Sequence, residues 1–187
     1  MNFKEYVAHV KATHHDEPAK VIAEFKDNFG LMETEADVMM MTDLIVHVCG
    51  QMGEWEKGIE LLRKIKNNAK INDKNAMNRY VAILDVGNNP NFSIEKFSTS
   101  DQVQIYAPVS AALVGLGGFK NADKLFSKAV ELAETLPKED PALKTLGYLA
   151  GYMAKGLHSK ADKNELEEQF FLKTQNVVKA ITAKLSH

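Results

Sequence analysis

An all-α fold is predicted, on three observations. Apolar residues recur at spacings of three and four along most of the chain, while few stretches alternate apolar and polar residues as strands do. Glycine or proline closes several of these stretches, at Gly30, Gly53, Gly87 and Pro137. Capping residues precede others, most clearly Thr34 with Asp37 three positions on. About ten helices with short connections are expected, in a single domain over 1–187.

Taken in order, Phe3, Tyr6, Val7 and Val10 make one stripe over a first helix. Asp16 is the expected cap of a second, with Glu17 and Pro18 in its first turn, Val21, Ile22, Phe25 and Phe29 on its buried face, and Gly30 as its stop. The third runs from Thr34 to Gly53. Trp55, Ile59, Leu62 and Ile65 define the fourth, and the fifth covers 72–87, closing at Gly87. The stretch "NNPNFSIEKFSTS" is too rich in Asn, Ser and Pro for a full helix. It leaves a turn or two around 94–97 and makes 88–101 the softest joint of the chain. From Asp101 a helix continues through Pro108, which kinks it because proline cannot donate to the carbonyl four residues back. Helices over 119–136 and 141–156 follow. The last spans 164–185, with Leu166, Phe170, Val177, Val178 and Ile181 inward.

Composition narrows the function classes. Of 187 residues, 45% are hydrophobic and 26% charged, the balance of a globular protein rather than a disordered one. With 23 basic and 25 acidic side chains the net charge is −2, which lacks the clustered basic excess of a nucleic-acid partner. A single cysteine, Cys49, allows no intramolecular disulfide and fits a reducing compartment. Its apolar surroundings, "LIVHVCGQM", suit a buried thiol. His47 is badly placed to activate it, because residues two apart on a helix point to different faces. Charges interrupt "MNFKEYVAHVKATHHDE", and no apolar run approaches ~18 residues, so a cytoplasmic protein without membrane contact is expected.

Two stretches correspond closely. Gly53, Trp55, Gly58, Leu62 and Ile65 fall opposite Gly117, Phe119, Ala122, Phe126 and Ala129, and Ile45, Val46 and Cys49 fall opposite Val109, Ser110 and Leu113. A glycine closes one helix, an aromatic follows two residues later, and small residues let the second helix approach the first. This spacing resembles the tetratricopeptide repeat. The resemblance covers about 34–185, with 1–33 as an N-terminal helical pair or cap. An intervening shortened unit retains Tyr80, Ile83 and Gly87, and a last one retains Leu149, Tyr152 and Gly156. It implies a right-handed superhelix of antiparallel helix pairs, since one pair cannot bury its apolar faces alone.

The resemblance further implies a concave wall lined by Met40, Asp43, His47, Met77, Val81, Gln104, Ala107, Ala111, Leu146 and Ala150. Family members that grip a peptide carboxylate place Lys, Arg and Asn there. Here only Lys74 and Asn78 qualify, so the wall is neutral and apolar, suited to an amphipathic helix or an apolar peptide. Either it is open, or the terminal helix over 164–185 covers it. Met39, Met40 and Met41 spread around their helix and read as core filling.

Catalytic signatures are missing: there is no G-x-S-x-G, no G-x-x-x-x-G-K-[ST], and "GLGG" at 115–118 belongs to the repeat's turn. The expectation is a non-enzymatic protein-binding scaffold without cofactor. Two alternatives stand beside it. His9, His14 and His15 are nitrogen donors that could hold a metal in a catalytic helical protein, although no recognised ligand spacing accompanies them. The small residues of 107–117 could instead pack against a second copy of the chain.

Overall fold

The computed structural model describes residues 1–68 and 71–187. Among these the chain is all α, with nine α-helices, one 3-10 helix and no strand, and successive helices pack as antiparallel pairs. None of these helices is long and apolar enough to cross a membrane. Two compact units succeed one another, Met1–Asn89 and Pro90–His187, and the boundary falls within the Asn- and Pro-rich joint.

In the first unit, α1 (Phe3–Thr13) opens with a capping box: Asn2 Oδ1 accepts from Glu5 N, and Glu5 Oε2 accepts from Asn2 N, both at 2.9 Å. Tyr6 and Val10 are its buried residues. The next helix, α2 (Pro18–Glu24), has Glu17 rather than Asp16 at its cap position, with no capping bond from the side chain. It gives way to a 3-10 helix over Lys26–Leu31, so Gly30 lies inside this turn instead of ending an α-helix. The tighter winding, about three residues per turn, rotates Phe29 away from the buried Phe25 and leaves it half-buried.

The longest element of this unit, α3 (Glu35–Met52), begins at the Thr34–Asp37 box, where Asp37 Oδ2 also accepts from Glu33 N at 2.9 Å. It ends at Gly53, whose φ of 69° is left-handed. Gly53 N donates to Gly50 O at 3.2 Å and Glu54 N to Cys49 O at 2.9 Å, the paired bonds of a Schellman turn. The chain then reverses into α4 (Trp55–Asn68). The Glu35 carboxylate accepts from Asn72 N at 2.7 Å and Asp73 N at 3.0 Å, tying the start of α3 to that of α5 (Lys74–Asn88). Those two donors and the Asn72 side chain hold its pKa below the usual range.

Gly87 does not end α5, which continues to Asn88. It is a notch: a Cβ there would lie 2.5 Å from Cδ2 and 2.6 Å from Cζ3 of Trp55. Gly58 fills the same role on α4, where a Cβ would meet Leu84 Cδ1 at 3.0 Å and Cys49 Cβ at 3.2 Å. Helices α3, α4 and α5 thereby close around Trp55, Leu62, Leu84 and Cys49, all buried.

The second unit begins with an irregular stretch in which Ile94 is fully buried and a single turn follows it, with Phe97 N donating to Ile94 O at 3.0 Å. Ser98 caps α6 (Thr99–Gly115), which runs without a break through Pro108. Its exit repeats the earlier turn: Gly117 has φ 80°, Gly117 N donates to Val114 O at 3.1 Å, and Gly118 N to Leu113 O at 2.8 Å. Helix α7 (Phe119–Ala133) follows, then α8 (Pro141–His158), capped by Asp140, then α9 (Glu165–Ser186), capped by Asn164. Asp140 also accepts from Ser100 Oγ at 2.7 Å, which fixes the start of α8 beside that of α6.

Helix α9 packs on α8 and α7. Gly147 lets it approach, since a Cβ there would lie 3.1 Å from Ile181 Cγ2. Phe170, Val177 and Ile181 are buried as expected, Val178 is half-buried, and Leu166 is exposed. The first turn of α9 points Glu167 inward instead, where Lys160 Nζ lies 2.6 Å from its carboxylate.

Left-handed backbone costs a residue with a Cβ about 1–2 kcal/mol. Gly53→Ala and Gly117→Ala should therefore each lower stability by about that amount in denaturant titrations. Gly115→Ala is the control: no neighbour stands within 4 Å of its added methyl, so it should be neutral or mildly stabilising. A loss for Gly115→Ala equal to the other two would remove the turn geometry as the cause.

Candidate functional site

Helical spacing puts Asp43, His47 and Gln51 in one row along α3, four residues apart. His14, in the turn after α1, packs against this row and is only 6% exposed. Its Nδ1 lies 2.9 Å from Gln51 Oε1, and Gln51 Nε2 donates to the His14 carbonyl at 3.2 Å. Because an amide oxygen only accepts, this pairing requires the proton of neutral His14 to sit on Nδ1. The His14 ring lies 3.9 Å from that of His15 and 5.1 Å, edge-on, from that of His47. From α5, Tyr80 donates to Asp43 Oδ1 at 3.1 Å. Burial, then the Asp43 charge, pushes the Tyr80 phenol up to about 12.

His47 has its pKa lowered, first by desolvation of the ring and next by His14, with Asp43 opposing and His15 adding to the decrease. A histidine depressed in the folded state binds protons more readily once unfolded, so stability falls as pH drops below about 6.5 and through the folded pKa. His47→Gln should flatten the stability profile below about pH 6.5, read from denaturant midpoints at each pH. An unchanged slope would show that the imidazole cluster exerts no such effect.

Cys49 is fully buried, and burial pushes its thiol up to about 12, which keeps it protonated and unreactive. His14 meets both His15 and His47, whereas His9 stands exposed on α1. Among the described residues no group of three or more His, Cys, Asp or Glu side chains is arranged to hold a metal ion.

The residues proposed for a concave wall divide. Met40, Asp43 and His47 are exposed, and Val81, Gln104 and Ala111 are half-buried. Met77, Ala107, Leu146 and Ala150 are buried, so they are core and not open wall. The error on α8 is one of phase. Leu146 and Ala150 turn inward together with Met153, whose sulfur lies 4.0 Å from Ser110 Oγ of α6. The exposed line of α8 is Lys144, Tyr148, Tyr152 and Lys155. Tyr148 and Tyr152 are 73% and 62% exposed and stand one helical turn apart. Their four-residue spacing between two lysines was the available signal.

The repeat positions are mostly buried. Trp55 and Leu62 are buried with Gly58 between α3 and α5. Ala122, Phe126 and Ala129 are fully buried, and the Ala122 carbonyl accepts from Ser110 Oγ at 2.8 Å. Phe119 is half-buried, its ring 6.1 Å from Phe170 of α9. The small residues Ala107 and Ser110 are thus enclosed within the unit.

Compared with models of protein families, with curated proteins and with solved structures, the chain matches none of them.

Proposed function

We propose that the chain is a non-catalytic helical scaffold of the tetratricopeptide-like kind, binding a protein or peptide partner in the cytoplasm. On this reading its glycine-turned helix pairs stack with a right-handed superhelical twist, and affinity resides in a few aromatic anchors on helix faces. The observation that carries the binding role is the Tyr148–Tyr152 pair. Two large rings held mostly in water on a capped 18-residue helix contribute little to the fold. Tyrosine is among the side chains that dominate interface energies, because it supplies rigid amphipathic area at low entropic cost. Support for the paired architecture comes from two Schellman turns with the same hydrogen-bond pattern at Gly53 and Gly117.

The α3–α5 face is a second contact region, with exposed Met40, Asp43 and His47 and half-buried Val81 as its candidates. Peptides selected from a random display library against the intact protein test both surfaces. Tyr148→Ala with Tyr152→Ala, or His47→Ala with Val81→Asp, should weaken the selected peptides by at least ~tenfold, as loss of interface anchors does. Unchanged affinities for both variants would mean that neither surface binds a partner.

A further inference from the structure

The α8 ridge has a charge as well as a shape. Helix 141–158 contains Lys144, Lys155 and His158 and no Asp or Glu. Several other lysines of this unit are tied to the fold. Lys173 pairs with Asp123, Lys160 with Glu167, and Lys184 caps the Leu136 carbonyl at 2.6 Å. Lys128 lies over the Tyr106 ring at 5.4 Å. Lys144 and Lys155 have no ion pair or hydrogen bond among the described residues, although they bracket the two exposed tyrosines.

Resting on the binding role proposed above, we infer that the ridge takes an acidic peptide segment with an apolar centre. At a rise of 1.5 Å per residue, Lys144 and Lys155 lie about 16 Å apart along the helix axis, with the tyrosines about 6 Å apart between them. An extended peptide advances about 3.3 Å per residue. Its complement is therefore a pair of Asp or Glu residues about five positions apart, enclosing apolar side chains that lie on the two rings. The lysines set the register and exclude basic segments, while the rings give contact area. A single-stranded nucleic acid could also stack on tyrosines, but two lysines on a chain of net charge −2 are a sparse track for a phosphate backbone.

The test uses the intact protein and a random-peptide display library, keeping those peptides whose binding is lost in Tyr148→Ala/Tyr152→Ala. These should be rich in Asp and Glu at about the stated spacing. Their affinity should fall at least ~tenfold in Lys144→Glu/Lys155→Glu and also weaken with added salt. All four side chains are exposed, so circular dichroism should show both variants folded. Tyrosine-dependent peptides that are neutral or basic would overturn the acidic partner while leaving the ridge as a binding surface. The same holds if oligothymidine displaces them more effectively than unlabelled peptide does. If no selected peptide depends on the tyrosines, the ridge itself is refuted, and this inference with it.

Discussion

Replacing Trp55 by alanine should lower the stability of the Met1–Asn89 unit by about 3–5 kcal/mol, the usual cost of emptying a buried aromatic site. The ring is 8% exposed and lies against the bare backbone of Gly87, so removal leaves a cavity between α4 and α5. Gly87→Ala attacks the same contact from the other side. Alanine favours a helix over glycine by about 1 kcal/mol. Its methyl, however, would stand within 2.6 Å of rigid indole atoms, and such overpacking costs about 1–3 kcal/mol. The single substitution should therefore be neutral to destabilising. In the Trp55→Ala background the obstacle is gone, and Gly87→Ala should become stabilising. Hydrogen exchange at α3 and α5 amides reads these changes locally, which avoids assuming that the two units unfold together. Simple additivity of the two substitutions would refute the wedge.

In the second unit the largest loss should come from Phe170→Ala, again about 3–5 kcal/mol. Phe170 is 1% exposed, edge-on to Phe126 at 5.6 Å and to Phe119 at 6.1 Å, and it joins α9 to α7. The polar contacts of α9 with α7, including Lys173 with Asp123 and Ser127, are partly solvated and cannot substitute for it. Leu172→Ala, exposed on the same helix, should cost less than about 0.5 kcal/mol. Chemical denaturation followed at α9 amides compares them. Equal losses would mean that α9 is not seated through Phe170.

Local chemistry made the helix pairs legible. Gly53 and Gly117 are recognisable because only glycine enters left-handed backbone cheaply, and an aromatic two residues later reports the return of the next helix. Thr34 and Asp37 form their box for an equally local reason. Gly87 was misread because a glycine after an apolar stretch looks alike as a stop or as a notch. Only the arrival of Trp55, 32 residues earlier in sequence, distinguishes them. Helix α8 is small or apolar around most of its circumference, with Ala142, Leu143, Leu146, Gly147, Leu149, Ala150 and Met153, so its phase was ambiguous by two residues. That ambiguity assigned Leu146 and Ala150 to a surface and passed over Tyr148. The meeting of His14 with Gln51 and His47 joins residues 37 and 33 apart, beyond any local pattern.

The binding role proposed above rests on the α8 ridge more than on any other surface. An NMR titration of the intact, isotopically labelled protein with a tyrosine-dependent peptide from the display selection tests it most directly. Amide and ring signals of residues 144–155 should shift together and saturate, with the Tyr148 and Tyr152 rings moving most. Shifts that gather on another face, or none at saturating peptide, would contradict the account.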